Sequence, residues 1–277
     1  MDVIQWYPGH MAKAMRKMEE SVKLVDGGCI VLDARCPYAC ENRKIEKLFG
    51  TKPILFVLNK ADLVDKNDLT RLTAEYIKNK RNVIAIDSRS KRDIKALYDK
   101  IFSILKEKIE ANRQKGYFRP VRIMVAGIPN TGKSTIINAL AGGKKAQVGD
   151  KAGVTRSNQW IKLEELELLD TPGTMPPSFS DQQAALRLAF IGSVNDEILD
   201  SADLCFELIK FLAEKYPENL KERYKLDNLS EAPLENFEAI CKARGYIKKG
   251  AEYDYDRCAK AVIDDLRSGK LGKIVFE

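Results

Sequence analysis

The 277-residue sequence is poor in histidine, which occurs once, and has no apolar run of about 18 residues, so we predict no membrane-spanning helix. Its six cysteines form no dense framework, and Cys36 and Cys40 lack a nearby histidine or second cysteine pair to complete a metal site. The first residues lack the apolar core of a signal peptide. We therefore expect a cytoplasmic protein without disulfides.

Positive charge is unevenly distributed. Residues 1–178 contain 32 Lys and Arg against 21 Asp and Glu, whereas residues 179–277 contain 15 against 19. The basic excess in the first part favours a polyanionic partner, although a solvated basic surface explains it equally well.

The first part of the chain alternates between two kinds of pattern. Apolar, β-rich runs predict buried parallel strands at 27–35, 52–58, 82–87 and 121–127. Helical spacing between and after them predicts helices at 41–49, 68–80, 93–115 and 133–141. Two further runs, 158–163 and 166–170, predict an antiparallel hairpin. The fold class is therefore α/β, a mostly parallel sheet with helices on both faces.

The pattern changes after Pro176 and Pro177. Amphipathic spacing predicts helices at 181–194, 196–215, 234–244 and 255–268, and only 273–276 has the composition of a strand. We predict two domains, an α/β domain at 1–178 and a helical domain at 179–277.

The segment Gly127–Ser134 matches the phosphate-binding pattern G-x-x-x-x-G-K-[ST] and lies between a predicted strand and a predicted helix. Lys133 is expected to reach the β- and γ-phosphate oxygens, and Ser134 to bind Mg²⁺. Backbone N–H groups are expected to surround the β-phosphate, from Asn130, Thr131, Gly132, Lys133, Ser134 and Thr135.

Asp170-Thr-Pro-Gly173 follows the predicted hairpin. Asp170 is expected to hold Mg²⁺ through water, and the N–H of Gly173 to meet the γ-phosphate. Thr155 lies between the two motifs and is the candidate to complete the Mg²⁺ shell, although it could equally be an ordinary loop threonine.

Asn59-Lys60-Ala61-Asp62 follows an apolar strand and predicts a guanine-binding segment. The Asp62 carboxylate can accept from guanine N1–H and the 2-amino group, a donor pair that adenine lacks. Asn59 can hold the loop, and Lys60 can lay its stem over the base. Asp87-Ser88, after the next strand, is where a backbone N–H would meet guanine O6.

The guanine-binding segment precedes the phosphate loop, which is the reverse of the order of these motifs in a Ras-type GTPase. If 121–127 and the hairpin are placed first and the three N-terminal strands last, the Ras strand order returns. Such a permutation preserves the site, because the site needs its loops at the carboxyl ends of the strands rather than in a given chain order.

The motifs, together with "QWYPGHMAKA", "DARCP" and "YPENLKERY", make the chain resemble the circularly permuted GTPases of the ribosome biogenesis GTPase A (YlqF) type. The resemblance covers essentially the whole length. It implies slow GTP hydrolysis to GDP, with Mg²⁺, late in assembly of the large ribosomal subunit. It also implies binding of ribosomal RNA and precursor particles, partly through a helical RNA-binding domain, and we expect a monomer away from the ribosome. Basic clusters available there are 246–250, Arg244, Lys270 and Lys273.

Three residues bear on catalysis in this resemblance. Thr174 stands where many GTPases place a water-orienting glutamine, which predicts slow hydrolysis by the isolated protein. Asn130 occupies the position that binds K⁺ in related potassium-stimulated GTPases. His10 is a candidate to orient or deprotonate water on the ribosome, and a structural role is about as plausible. With Lys133 and Thr155, it makes up the predicted catalytic set.

Two other functions are compatible with parts of the pattern. One is an RNA-binding scaffold that holds GTP with negligible turnover. The other is a metabolic P-loop kinase, against which the guanine-binding segment and the lack of an acceptor-binding lid both argue.

Overall fold

The computed structural model describes residue 4 and residues 9–142, 159–176 and 181–277. These residues form two compact units. The sheet unit holds the described residues of Gln5–Phe179 together with Val275–Glu277, and the helical unit holds those of Met1–Ile4 and Ser180–Ile274.

The sheet unit contains six strands among the described residues: β1 (Gly27–Asp33), β2 (Ile54–Asn59), β3 (Asn82–Ile86), β4 (Val121–Ala126), β5 (Gln159–Lys162) and β6 (Leu166–Asp170). They form one sheet in the order β3-β2-β1-β4-β6-β5, and every neighbouring pair is parallel except β5 and β6. Reading β4–β6 before β1–β3 gives the Ras order. The predicted fold class is thus confirmed.

The described helices of the sheet unit are α1 (Gly9–Ser21), α2 (Pro37–Cys40), α3 (Arg43–Leu48), α4 (Lys66–Lys78), α5 (Lys91–Ile104), α6 (Lys106–Gln114) and α7 (Lys133–Leu140). Short 3₁₀ turns occupy Val22–Leu24 and Ala61–Leu63. The single helix predicted at 93–115 is wrong, because the chain breaks at Leu105, whose ψ of 3° departs from the helix. The Leu105 side chain is buried in the core, which fixes the break.

Apolar side chains of alternating residues build a core on each side of the sheet. Val31, Val57 and Val125 meet residues of α5 and α7 on one side. On the other side, the Phe56 ring lies 5.4 Å from that of Tyr76 on α4. Glycine at position 28 leaves room for Phe49, since a Cβ there would lie 2.3 Å from the ring. The sheet is therefore covered on both faces.

The helical unit contains α8 (Gln182–Phe190), α9 (Ser201–Lys215), α10 (Pro217–Tyr224), α11 (Pro233–Arg244) and α12 (Tyr255–Arg267), with a 3₁₀ turn at Asp196–Ile198. Helix α9 packs against the other four. It begins later than predicted because the Asp200 carboxylate caps it, accepting from the N–H of Asp203. Across the described residues, no helix is long and apolar enough to cross a membrane.

The strand predicted at 273–276 is wrong. No strand forms there; instead Phe276 N donates a backbone hydrogen bond of 2.8 Å to Arg35 O. The Glu277 carboxylate accepts from the N–H groups of Tyr38 and Ala39, which begin α2. The last three residues thus belong to the sheet unit.

Candidate nucleotide-binding site

The three predicted motifs emerge from one edge of the sheet. Strand β2 ends at Asn59, β4 at Ala126 and β6 at Asp170, and β1 between them ends at Asp33. Since these strands are parallel, their carboxyl ends meet at the same edge, where open α/β sheets bind ligands.

The phosphate loop connects β4 to α7 through three residues with positive φ. Gly127 has φ +145°, Asn130 +60° and Gly132 +93°. The glycines also allow close packing, since a Cβ on Gly127 would lie 2.4 Å from Val31 O and one on Gly132 would lie 2.2 Å from the Asn59 amide nitrogen. The loop delivers the chain to the start of α7 at Lys133, so its N–H groups and the helix N-terminus form an anion-binding concavity.

Lys133 and Asp170 are both buried and influence each other. The Lys133 ammonium donates a hydrogen bond of 2.6 Å to Ile128 O. Burial lowers the pKa of Lys133 to about 8, an effect that the Asp170 charge opposes. Burial raises the pKa of Asp170 to about 6, partly offset by the Lys133 charge and by a backbone hydrogen bond from Thr171.

The Asp170 carboxylate has an unused acceptor. Its Oδ1 is buried and has no hydrogen-bond partner within the described parts of the chain. Ser134 and Thr135 lie in the first turn of α7, which packs against β6. A buried carboxylate oxygen without a donor is a fitting ligand for a hydrated Mg²⁺ ion beside the Ser134 hydroxyl. Thr155, the third predicted ligand, lies outside the described residues.

Gly173 lies against the phosphate loop. A Cβ at Gly173 would approach the backbone of Pro129 to 2.7 Å, so only glycine fits without movement. The next residue, Thr174, donates its N–H to Gly127 O at 3.2 Å. These contacts bring the Asp170–Gly173 motif to the loop.

Thr174 and His10 occupy different environments. Thr174 is fully buried, and its hydroxyl has no hydrogen-bond partner among the residues described. His10 lies exposed in the first turn of α1, next to Met11, whose sulfur accepts a hydrogen bond of 3.4 Å from Met175 N. Helix α1, which the sequence reasoning missed, contacts the segment that follows Gly173 through Met11, the residue after His10.

Asn59 and Lys60 connect the guanine-binding segment to the other loops. The Asn59 amide donates to Thr131 O at 2.8 Å, and its oxygen accepts from Ser88 N at 3.2 Å. Lys60 has φ +60°, and its ammonium donates to Asn130 O at 3.0 Å. One asparagine and one lysine therefore tie the base-binding and phosphate-binding loops together.

Asp33 and Arg35 support Lys60, and the sequence reasoning assigned them no role. Asp33 is fully buried at the end of β1, with its carboxylate 2.8 Å from both the Arg35 and the Lys60 cation. Burial acts to raise the pKa of Asp33, but the charges of Arg35 and Lys60 outweigh it and hold that pKa well below its usual range. The sequence did contain a signal for this role, namely an aspartate at the end of β1, the neighbour of strand β2 that leads into the guanine-binding segment.

Asp62 and Asp87 share one arginine. The Arg89 guanidinium lies 2.5 Å from the Asp62 carboxylate and 3.0 Å from that of Asp87. Arg89 is 70% exposed in its side chain, whereas Asp62 is 28% exposed. Ala61 begins the 3₁₀ turn that carries Asp62. The pair brings the 59–62 and 87–89 segments together at the rim of the site.

The permuted Ras order, the phosphate loop and the guanine-binding segment at one sheet edge define a circularly permuted GTPase. The chain belongs to the ribosome biogenesis GTPase A family. It is 44% identical to Ribosome biogenesis GTPase A of Bacillus cereus over 99% of this chain and 94% of that one. It is 41% identical to the protein of the same name in Priestia megaterium, over 99% and 96%. These similarities confirm the resemblance drawn from the motifs.

Structure comparison and a family model agree with this assignment. The solved GNP-bound YlqF from T. maritima has a TM-score of 0.68 and 27% identity, covering 96% of this chain and 97% of that one. A family model described as a 50S ribosome-binding GTPase matches residues 122–237.

Proposed function

We propose that this GTPase is a switch in a late step of large ribosomal subunit assembly, acting on precursor particles and ribosomal RNA. Family membership and the 50S ribosome-binding description of the matching family model support the ribosomal role. The observation that supports the switch is the convergence of the phosphate loop and the 87–88 segment on Asn59 and Lys60 of the guanine-binding segment.

Each predicted residue has a role in nucleotide binding. The N–H groups of residues 130–135 and the Lys133 ammonium surround the phosphates. Asp62 accepts from the guanine edge, while Lys60 covers the base and the N–H of Ser88 meets O6. Arg89 must turn away from Asp62 for guanine to bind, and its 70% exposure makes that movement inexpensive.

Metal ions complete the phosphate site in this proposal. Ser134, Thr155 and Asp170 would hold Mg²⁺, which neutralises charge on the phosphate oxygens during transfer. Asn130 would hold K⁺, which would offset negative charge on the phosphates. The Oδ1 of Asp170, which has no hydrogen-bond partner in the described parts of the chain, supports the first assignment.

Hydrolysis by the isolated protein is expected to be slow. The Thr174 side chain is buried in the protein, so it cannot orient a water molecule on the phosphate. His10 is exposed and precedes Met11, which contacts Met175, and it would act only when the ribosome positions it. The buried Thr174 is also the observation that favours the alternative, a GTP-binding RNA scaffold with negligible turnover.

The helical domain, residues 179–277, would contribute RNA contacts. The Arg244 guanidinium lies 5.2 Å from the Tyr224 ring centre, and Arg257 lies 5.1 Å from that of Tyr246. A β-bridge between Ile247 and Tyr253 closes a turn that presents lysines 248 and 249. Such cation–aromatic surfaces suit RNA. We place the protein in the cytoplasm as a monomer when it is not on the particle.

The test measures GTP hydrolysis by the full chain with and without large-subunit precursors, in potassium and in sodium. The switch predicts turnover that precursors stimulate, with a larger effect in potassium. Binding to precursors without stimulated turnover in either salt would instead support the alternative function, a GTP-binding RNA scaffold.

A matched control separates guanine recognition from folding. Asp62→Asn exchanges the carboxylate for an amide that can donate to the 2-oxygen of xanthine. We expect this variant to lose GTP-dependent turnover by about a hundredfold or more and to recover it with xanthosine triphosphate. Equal use of both nucleotides by the variant would contradict the role of Asp62.

A further inference from the structure

A pocket lies at the end of the sheet opposite the nucleotide-binding motifs. It has a volume of about 220 Å³ and is lined by the end of α5, by α6, by the 115–120 linker and by the β5–β6 turn. Asp26 and Pro120, which line it, immediately precede β1 and β4. Since the nucleotide motifs follow the carboxyl ends of these strands, this pocket, the α6–β4 pocket, is separate from the GTP site.

Two aromatic residues stand exposed at this pocket. Tyr117 is 64% exposed and Phe118 is 82% exposed, although both line the pocket with the buried Leu105. The Tyr117 N–H donates to Asn112 O at 2.9 Å, which anchors the linker to the end of α6. Adjacent exposed aromatics on an anchored segment form a surface on which a planar ligand can stack.

Three cations and three carboxylates line the pocket around these aromatics. Lys108 and Arg119 both pair with the Asp26 carboxylate, at 3.0 and 2.7 Å. Arg113 and Lys115 make no ion pair among the described residues. We call the lining residues Lys108, Arg113 and Arg119, together with Lys115 at the start of the linker, the basic cluster.

The acidic side of the pocket is the β5–β6 turn. Glu164 and Glu165 line it, and Glu165 accepts from the Tyr98 hydroxyl at 3.1 Å. A carboxylate here opposes phosphate but accepts from the exocyclic amino group of a base. The side-chain amide of Asn112, also in the lining, can donate to a phosphate or accept from a base. The pocket therefore combines a stacking surface, base-edge acceptors on one side and cations on the other.

We propose that the α6–β4 pocket binds an unpaired nucleotide of RNA, with the base stacked on Tyr117 and Phe118 and the neighbouring phosphates beside the basic cluster. Unpaired rather than duplex RNA fits, because only an exposed base offers its face for stacking. The inference rests on the proposed function for RNA as the partner, and it adds an RNA site on the sheet unit, away from the guanine site.

The test measures binding of fluorescently labelled single-stranded and duplex RNA to the full chain over a series of salt concentrations, and variants are compared at equal salt. We expect Tyr117→Ala with Phe118→Ala to weaken binding of single-stranded RNA by about five- to tenfold or more and to change duplex binding little. Phe118→Trp should retain affinity because the ring remains. Arg113→Gln should reduce the slope of log affinity against log salt by about 0.7.

Controls keep the result interpretable. Ile77→Ala removes a side chain that is 65% exposed on α4 and should leave RNA binding unchanged. All variants should bind guanine nucleotide like the wild type, because the pocket lies at the opposite end of the sheet. Photo-crosslinking of thiouridine-containing RNA should label the 117–118 peptide.

Wild-type affinity for single-stranded RNA in the double alanine variant overturns the inference. If that variant also loses precursor-particle binding, the ligand of the pocket is a protein. Neither result bears on precursor-stimulated hydrolysis by the wild type, so the proposed function stands or fails separately.

Discussion

Replacing Asp33 by asparagine removes the charge that two cations of the site share while keeping the size of the side chain. Arg35 is 1% exposed and its guanidinium makes bonds of 3.0 and 2.8 Å to the Asp33 carboxylate. Without that carboxylate, the buried Arg35 cation loses this ion pair. Lys60 differs, because its side chain is 26% exposed and can turn toward water.

The magnitude follows from the burial of Arg35. Breaking a buried ion pair by removing one partner costs about 3–5 kcal/mol, so we expect Asp33→Asn to lower the free energy of unfolding by that amount. For a chain of this size, the loss corresponds to roughly 6–20 °C in Tm. Lys60 also loses one of its two anchors, so guanine nucleotide affinity should fall by about 1–2 kcal/mol, or roughly five- to thirtyfold.

The assay is denaturant and thermal unfolding of each variant, with nucleotide affinity measured in parallel. Asp68→Asn is the matched control, because Asp68 pairs with Arg71 at 3.4 Å on the surface and should contribute less than about 0.5 kcal/mol. Adding Arg35→Met to the Asp33 variant should restore much of the stability but not the nucleotide affinity.

The pH dependence has a definite sign. Since the pKa of Asp33 is lowered on folding, its stabilisation is fully present above the unfolded pKa of about 3.9 and is lost only as pH falls through the folded value. The difference between wild type and Asp33→Asn should therefore be constant from about pH 5 to 8. A variant that unfolds within about 1 kcal/mol of the wild type would refute the reasoning.

Other predictions concern the phosphate site. Asp170→Asn should raise the free energy of unfolding by about 1–3 kcal/mol at neutral pH without Mg²⁺ while reducing GTP hydrolysis, because a carboxyl pKa raised to about 6 costs stability above that pH; a lower Tm would contradict this. Thr174→Val should stabilise by about 1 kcal/mol in calorimetry with unchanged intrinsic turnover, because it removes a buried hydroxyl that has no partner among the described residues. Gly132→Ala should weaken nucleotide binding at least about tenfold in a fluorescence titration, since its φ is +93° and its Cβ would meet Asn59; affinity like the wild type would show that the loop adapts. His10→Ala should reduce only precursor-stimulated hydrolysis, and an unchanged stimulated rate with normal particle binding would remove His10 from catalysis.

The sheet could be predicted because each of its strands has a recognisable local sequence pattern. Residues 29–32 are apolar throughout, as expected of a strand covered on both faces, and turn residues bound each such run. The phosphate loop could also be predicted, because the backbone at positions 127 and 132 has positive φ and therefore favours glycine. The circular permutation did not obscure the topology, because the order of strands in the sheet depends on their pairing rather than on their order along the chain.

The remainder depends on partners far along the chain. Residues 273–276 have β-forming composition, but Phe276 pairs with the backbone of Arg35 rather than with a strand. The break at Leu105 follows from the core that its side chain fills. Arg89 meets Asp62 only because two neighbouring strands carry their loops to one rim. No local pattern contains these pairings.

The strands of the sheet come from two separate parts of the chain, and this arrangement affects how the chain folds during its synthesis. Strands β3, β2 and β1 are complete by Ile86, whereas β4, which covers the other side of β1, begins only at Val121. At about 5–20 residues per second, translation leaves the hydrogen-bonding edge of β1 without that neighbour for roughly 2–7 s. A nascent chain can therefore assemble its base-binding half first, and the edge of β1 is a place where a chaperone or a second nascent chain can pair before β4 arrives.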